Sequence, residues 1–427
     1  MTLAAVGDAI AARRLVVEDD PAAAAVVSLV RAADVAFANL EIVLDAFDGP
    51  PTDQLNLTTD GEVAQDLRAL GFDMVGIANN HTMNYGEHGI RKTLAALRRA
   101  GLAYAGAGRN LREARRPGYF ESRAGRVALV AAASTFAPGQ HATHQREDAR
   151  GRAGLNPLRF ETTYLVDAPA MAQLRRMGER TGLDQVRRRA VERGTATPLQ
   201  EGELSLLGAT FREASDFGVR SVPDPIDLEE NVRMVREARQ FADLVLVSMH
   251  CHEVEGDKGK PPGFLVEFAR ACVDAGADAF IGHGPHALRG LEIYRGRPIF
   301  YSLGNFFYQA EFARQLPGDN YIARDMRHWT NAEFHDHFTA HETKGPPVTR
   351  ANWESVLPLC TFEDGQLARL ELRPLTLGFG APLPRRGSPR IADGELGCRI
   401  MSEFAELSAP FGTRTGSQGG VSIVDLG

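Results

Sequence analysis

A chain of 427 residues is long enough for one large α/β domain with insertions, or for two domains. Its formal charge of -7 and pI near 6.0 lack the basic footprint that a phosphate backbone demands, so no nucleic-acid partner is expected. With 44% apolar and 24% charged residues, disorder as a global state is excluded as well.

No apolar run reaches the roughly eighteen residues of a membrane span, and the N-terminus enters a strand pattern directly. A cytoplasmic protein without membrane contact is expected. Cys251, Cys272, Cys360 and Cys398 are widely spaced and form no CxxC pair, so they read as buried free thiols.

Along the chain, short apolar, β-branched or alanine-rich runs alternate with longer amphipathic stretches, the pattern of βα units feeding a buried sheet. The predicted strands are Leu3–Gly7, Val35–Leu40, Met74–Ala78, Ala103–Ala105, Val127–Ala133, Leu244–Met249, Ala279–Gly282 and Ile299–Leu303. Helices are predicted over Gly89–Ala100, capped by Gly101, and over Pro262–Ala275. The text divides into a first half of the core (1–136), an insertion read as a substrate-binding cap (137–225), a second half of the core (226–308), a lid-like loop (309–353), and core-completing strands with a tail (354–427). The insertion is rich in Arg, with a charged helical stretch predicted at 167–193. The tail after Ala409 reads as polar and frayed.

The chemistry is written where strands end. Apolar runs lead into Asp8, Glu41, Asn80 with His81, His250 with His252, and His283 with His286. In open α/β sheets ligands bind beyond the carboxyl ends of the strands, so residues far apart in sequence converge there. Each residue has a plain structural use as well: Asp8 as a helix cap, Asn79 and Asn80 as turn formers, Gly284-Pro285 as a turn. Five strand ends finishing together in metal-competent side chains favour a metal site, and the mixture of carboxylate, amide oxygen and imidazole suits Mn, Zn, Fe or Co. Two divalent ions are expected, with Glu41 or Asp8 able to bridge them and His81 left as acid or base. Gly106-Ala107-Gly108 lacks the third glycine of a dinucleotide fingerprint, since position 111 is Leu.

As an ordered set, Gly7-Asp8, Asn39-Leu40-Glu41, Ala78-Asn79-Asn80-His81 with Tyr85-Gly86, Gly282-His283 with Pro285-His286, and Tyr301-Ser302-Leu303-Gly304-Asn305-Phe306 resemble the poly-γ-glutamate capsule-synthesis (CapA) family of the calcineurin-like metallophosphatase superfamily. The resemblance implies a four-layer αββα metallophosphatase-like sandwich with a dinuclear site. Its ligands would be Asp8, Glu41, Asn80, His250, His283 and His286, and His81 would match the catalytic histidine. Two departures stand out: Ile10 occupies the place of the usual second ligand in Asp-x-His, and the final pair is stretched to His283-x-x-His286. His252 stands as that missing ligand or, with His81, as a catalytic base. Arg289 and Asn305 are the candidate substrate-binding residues, the former because a guanidinium fork matches carboxylate or phosphate.

The expected function is metal-dependent hydrolysis of an amide or phosphate ester in a small-molecule or peptide-like acidic substrate. One alternative is a metal-dependent peptide epimerase of a lasso-type ribosomal peptide pathway. The other is a non-catalytic factor in poly-γ-glutamate capsule assembly. Fold and metal set do not by themselves choose a reaction.

Overall fold

TLAAVGDAI over Thr2–Ile10 and LVLVSMH over Leu244–His250 are buried on both faces, which requires a sheet covered above and below. The computed structural model describes residues 1–15, 20–52, 55–322, 325–418 and 421–426. Two sheets dominate it. The larger has ten strands, whose main path runs Thr415–Gln418, Val421–Val424, Gln366–Thr376, Glu354–Glu363, Thr2–Ile10, Val35–Leu40, Met74–Gly76, Ala103–Ala105. Asn305–Tyr308 also pairs with Thr2–Ile10, in parallel. The second sheet has six strands, ordered Leu288–Tyr294, Arg297–Leu303, Ala279–His283, Leu244–His250, Gly125–Ala133, Gly118–Ser122.

Alternation along each strand sorts the side chains into layers. Leu3, Ala5, Phe37 and Met74 of the larger sheet meet Leu129, Leu246, Ile281 and Phe300 of the smaller one in a single core between the sheets. Ala4 and Val6 point the other way, to helices Pro21–Ala32, Glu62–Ala69 and Gly86–Ala100. Val130, Val245 and Val247 likewise face helices Pro225–Arg239 and Gly263–Asp274. Each fully buried Leu or Phe in these layers contributes roughly 1.5–3 kcal/mol.

The helix expected before Gly101 is present as Gly86–Ala100, with Gly101 at φ 70°, the left-handed cap that glycine adopts without strain. Three predicted strands run further than expected and take a candidate ligand into the ladder. Asp8 pairs with Asn305, and His250 pairs with His283 in parallel register. Asp8 therefore caps no helix.

Within 137–225, Glu203–Leu206, Ala209–Glu213, Phe160–Val166 and Gly218–Pro223 form a four-stranded sheet that the sequence reading did not anticipate. The stretch 167–193 is two helices, Ala168–Thr181 and Leu183–Glu192, broken at Gly182 (φ 74°). Within 309–353, helices Gly318–Ile322 and Asn331–Phe338 are followed by the wholly buried Trp353.

Two expectations are corrected. The tail is not frayed: Thr415–Gln418 and Val421–Val424 pair with each other, and the latter joins Gln366–Thr376, whose long edge offers unpaired backbone groups. Cys398 is exposed on helix Gly394–Ser408, whereas Cys251, Cys272 and Cys360 are buried. Among the described residues no helix is long and apolar enough to cross a membrane.

Candidate metal centre

The carboxyl ends of the strands of the two sheets converge, and each sheet delivers its own kind of candidate ligand. Asp8, Glu41 and Asn80 come from the larger sheet, and His250, His252, His283 and His286 come from the smaller. Close backbone approach makes this possible. A Cβ on Gly7 would lie 1.9 Å from the Gly304 carbonyl oxygen, which accepts a hydrogen bond from the Asp8 N–H at 3.0 Å. Gly284, at φ 114°, donates its N–H to Asp8 Oδ2 at 2.9 Å. His286 itself holds φ 53°, a left-handed conformation that non-glycine residues keep only where the surroundings enforce it.

The side chains fall into two triads. In Asp8, His250 and His283, and again in Glu41, His252 and His286, the candidate ligand atoms all lie within 4.8 Å of one another. In the first, His250 Nδ1 and His283 Nδ1 are 3.0 Å apart, and Asp8 Oδ1 stands 3.7 and 3.3 Å from them. Donors held about 2.0–2.2 Å from one ion are necessarily about 3–4 Å from each other, so the spacing fits a cation. In the second, Glu41 Oε1 is 3.9 Å from the Nε2 atoms of both His252 and His286. Both Glu41 carboxylate oxygens are buried and find no hydrogen-bond donor among the described residues. A buried carboxylate without donors is costly unless a cation compensates it, and the donor set fits a divalent metal.

Neighbouring side chains set the imidazole tautomers. Asn305 Nδ2 donates to the Asn352 carbonyl at 2.8 Å, so its Oδ1 faces His286 Nδ1 at 2.9 Å. That nitrogen must carry the proton, which leaves the Nε2 lone pair available to a metal. Ser248 Oγ lies 2.8 Å from His283 Nε2 and turns Nδ1 toward Asp8. Asn39 Nδ2 donates to Asp8 Oδ1 at 2.8 Å.

His81 is built the same way. Asn84 Oδ1 accepts from the Leu57 N–H and faces His81 Nδ1 at 2.7 Å, so Nδ1 is protonated. His81 Nε2 then lies 3.8 Å from Glu41 Oε1.

Electrostatics agree with the geometry. Burial pushes the Asp8 carboxyl up, but its hydrogen bonds with His250 and His283 outweigh it and hold the group well below the usual range. Burial and the Asp8 charge push Glu41 well above its ordinary value. Burial lowers His250 to about 4 against the pull of Asp8. His252 is pushed well down by burial and by His250 and His286, and burial lowers His286. These three rings are thereby kept neutral, the form that ligates.

The structure brings together Asp8, Glu41, His81, His250, His252, His283 and His286, and places Asn80 Oδ1 3.0 Å from His250 Nε2. Asn305 lies directly behind His286. Arg289 is different. It is fully buried, and its guanidinium donates to the backbone carbonyls of Cys251 and Lys258 at 3.3 and 3.1 Å and to that of Glu253. It braces the loop that carries His252 instead of facing the site, because three carbonyls turned inward by that loop need donors. Residues missed from sequence were Asn84, Ser248 and Tyr308, whose ring lies 5.6 Å from that of His286. Only Asn84 left a local signal, three positions after His81.

A family model described as bacterial capsule synthesis protein PGA_cap matches residues 2–310, a span that contains every candidate ligand. Two uncharacterized proteins of Sinorhizobium fredii are each 35% identical over 442 aligned residues, covering 100% of this chain and 93% of their own. The capsule biosynthesis protein CapA of Bacillus anthracis is 25% identical over 261 residues, 61% of this chain and 46% of that one. A probable polyglutamine synthesis accessory protein of Mycobacterium tuberculosis is 28% identical over 281 residues, 64% of this chain and 55% of its own. The chain therefore belongs to the PGA_cap family of bacterial capsule synthesis proteins, the family of CapA.

Proposed function

We propose that the chain is a CapA-like metal-dependent hydrolase, built on a metallophosphatase-like sandwich, that acts on an amide or phosphate ester of a peptide-like acidic substrate. The observation that carries the reading is the pair of triads meeting at Asp8 and Glu41, with both Glu41 oxygens lacking donors among the described residues. Divalent ions held there would polarise a carbonyl or phosphoryl oxygen and acidify a water. Asp8, His250 and His283 would hold one ion and Glu41, His252 and His286 the other, His252 replacing the ligand that Ile10 cannot supply. With Nδ1–H held by Asn84, His81 Nε2 presents its lone pair beside Glu41; it would take a proton there and, as the imidazolium, return it to the departing group. The partial burial of the centre limits access of bulk water, which strengthens each of these electrostatic contacts.

The names of relatives favour a second reading, in which the chain assists a synthesis without turning over substrate. Peptide epimerisation is the less favoured alternative: it needs two bases, and the place of His252 within a triad leaves His81 as one. Elemental analysis of the purified protein, paired with phosphatase and amide-hydrolysis screens with added Mn²⁺, Zn²⁺, Fe²⁺ or Co²⁺, separates these. Metal with metal-dependent turnover supports the hydrolase. Metal without turnover points to the accessory role unless deuterium enters a peptide from D₂O, and a metal-free, inactive protein removes the proposal.

A further inference from the structure

Beside the centre lies a cavity of about 270 Å³, lined among others by Leu55, Tyr308, Leu316, Asn331, Phe334 and Phe338. Tyr308 is the wall shared with the metal centre: its ring stands 5.6 Å from that of His286 and 5.3 Å from that of Trp353. Two polar residues of the lining, Asn331 and Glu311, are already engaged. Asn331 Nδ2 donates to the Ala313 carbonyl at 3.2 Å, its Oδ1 accepts from the Tyr321 hydroxyl, and Glu311 pairs with Arg386 at 2.6 Å. The rest of the lining is mostly apolar and aromatic, with Asn320, His335 and Thr339 as further polar members.

Size narrows the occupant further. Pockets for whole drug-sized ligands span about 300–1,000 Å³, and this cavity falls just below that range, with room for a large side chain and part of what carries it. The rings of Phe334 and Phe338 are stacked at 6.2 Å with 9° between their planes, and Tyr308 offers a third ring, so an aromatic occupant gains face and edge contacts that an aliphatic one does not.

We infer that the substrate carries an aromatic side chain that seats in this cavity while its reacting group lies at the Asp8 and Glu41 centre; this rests on reading that centre as the place where substrate is transformed. The Tyr308 ring touches His286 on one side and lines the cavity on the other, so the seated side chain and the reacting group would lie to either side of that one ring.

The test is calorimetric titration of the full chain, purified with its metal, with N-acetyl-L-phenylalanine, N-acetyl-L-leucine and N-acetyl-L-alanine. The phenylalanine derivative is expected to bind roughly tenfold more tightly than the alanine one, with leucine between. Ala313→Phe, which puts a ring into the cavity from its own lining, should erase that preference, and Leu316→Trp serves if the first variant does not fold. Equal affinities, no binding by any of the three, or a preference unchanged by filling the cavity would overturn the inference. An aromatic preference that survives in a protein inactive in every hydrolysis screen would retract the hydrolase reading and leave the cavity assignment standing.

Discussion

His250 presents Nδ1 to His283 Nδ1 at 3.0 Å and Nε2 to His252 Nε2 at 2.8 Å, so one buried ring stands between the two triads. A neutral imidazole has one lone pair, so its two edges serve different ends. With Asn80 Oδ1 3.0 Å from Nε2, the proton belongs on that side and the lone pair on the Asp8 side.

The triads should therefore fail separately. His283→Ala is expected to lower metal content by about one ion per chain, and His252→Ala to remove the other ion. Mass spectrometry of metal in the purified variants checks this. Full metal content in His252→Ala, with activity lost, would return His252 to the role of base.

His81→Ala should retain metal while turnover falls about 10²–10⁴-fold, the usual contribution of a positioned acid or base. Asn84→Ala should reproduce a smaller part of that loss and broaden the pH profile, because it frees the tautomer that the amide oxygen imposes. Metal content and rate both at wild-type level in His81→Ala would remove it from the mechanism.

Arg289→Ala should destabilise the fold by roughly 3 kcal/mol or more, since each buried carbonyl left without a donor costs about 1–3 kcal/mol. Thermal melts check the loss, and Arg289→Lys should recover only part of it, lacking the guanidinium fork. A variant with an unchanged melting temperature and a raised KM would instead make Arg289 a substrate ligand.

Acid should weaken the chelated protein through His250. Burial holds this ring down to about 4 in the fold, below its ordinary value of 6.5. Between those values the unfolded chain binds the extra proton, so stability is complete above 6.5, falls as pH drops toward 4, and changes no further from this group below that. Melting temperatures of the chelator-treated protein across that range test the sign. His250→Asn should flatten the slope.

Gly7→Ala should disrupt the centre without touching a ligand, because the added methyl carbon would sit 1.9 Å from the Gly304 carbonyl oxygen. Reduced soluble yield and lost metal are the expected readouts.

What could be read from the chain alone was local. An apolar run giving way to Asp8, Glu41, His250 or His283 within one residue marks both the strand and the candidate ligand at its end, because strand burial and strand termination act on neighbours in sequence. The α/β class and the helix ending at Gly101 were legible for the same reason. The pairing of these ligands was not. Asp8 meets His250 and His283, and Glu41 meets His252 and His286, only because two sheets pack face to face through Leu3, Phe37, Leu246 and Phe300, and every residue in that core is equally apolar to a reader of the sequence. The role of Arg289 was decided at the same level. A guanidinium matches a carboxylate or a cluster of inward carbonyls equally well, and packing alone placed the carbonyls of Cys251, Glu253 and Lys258 within its reach.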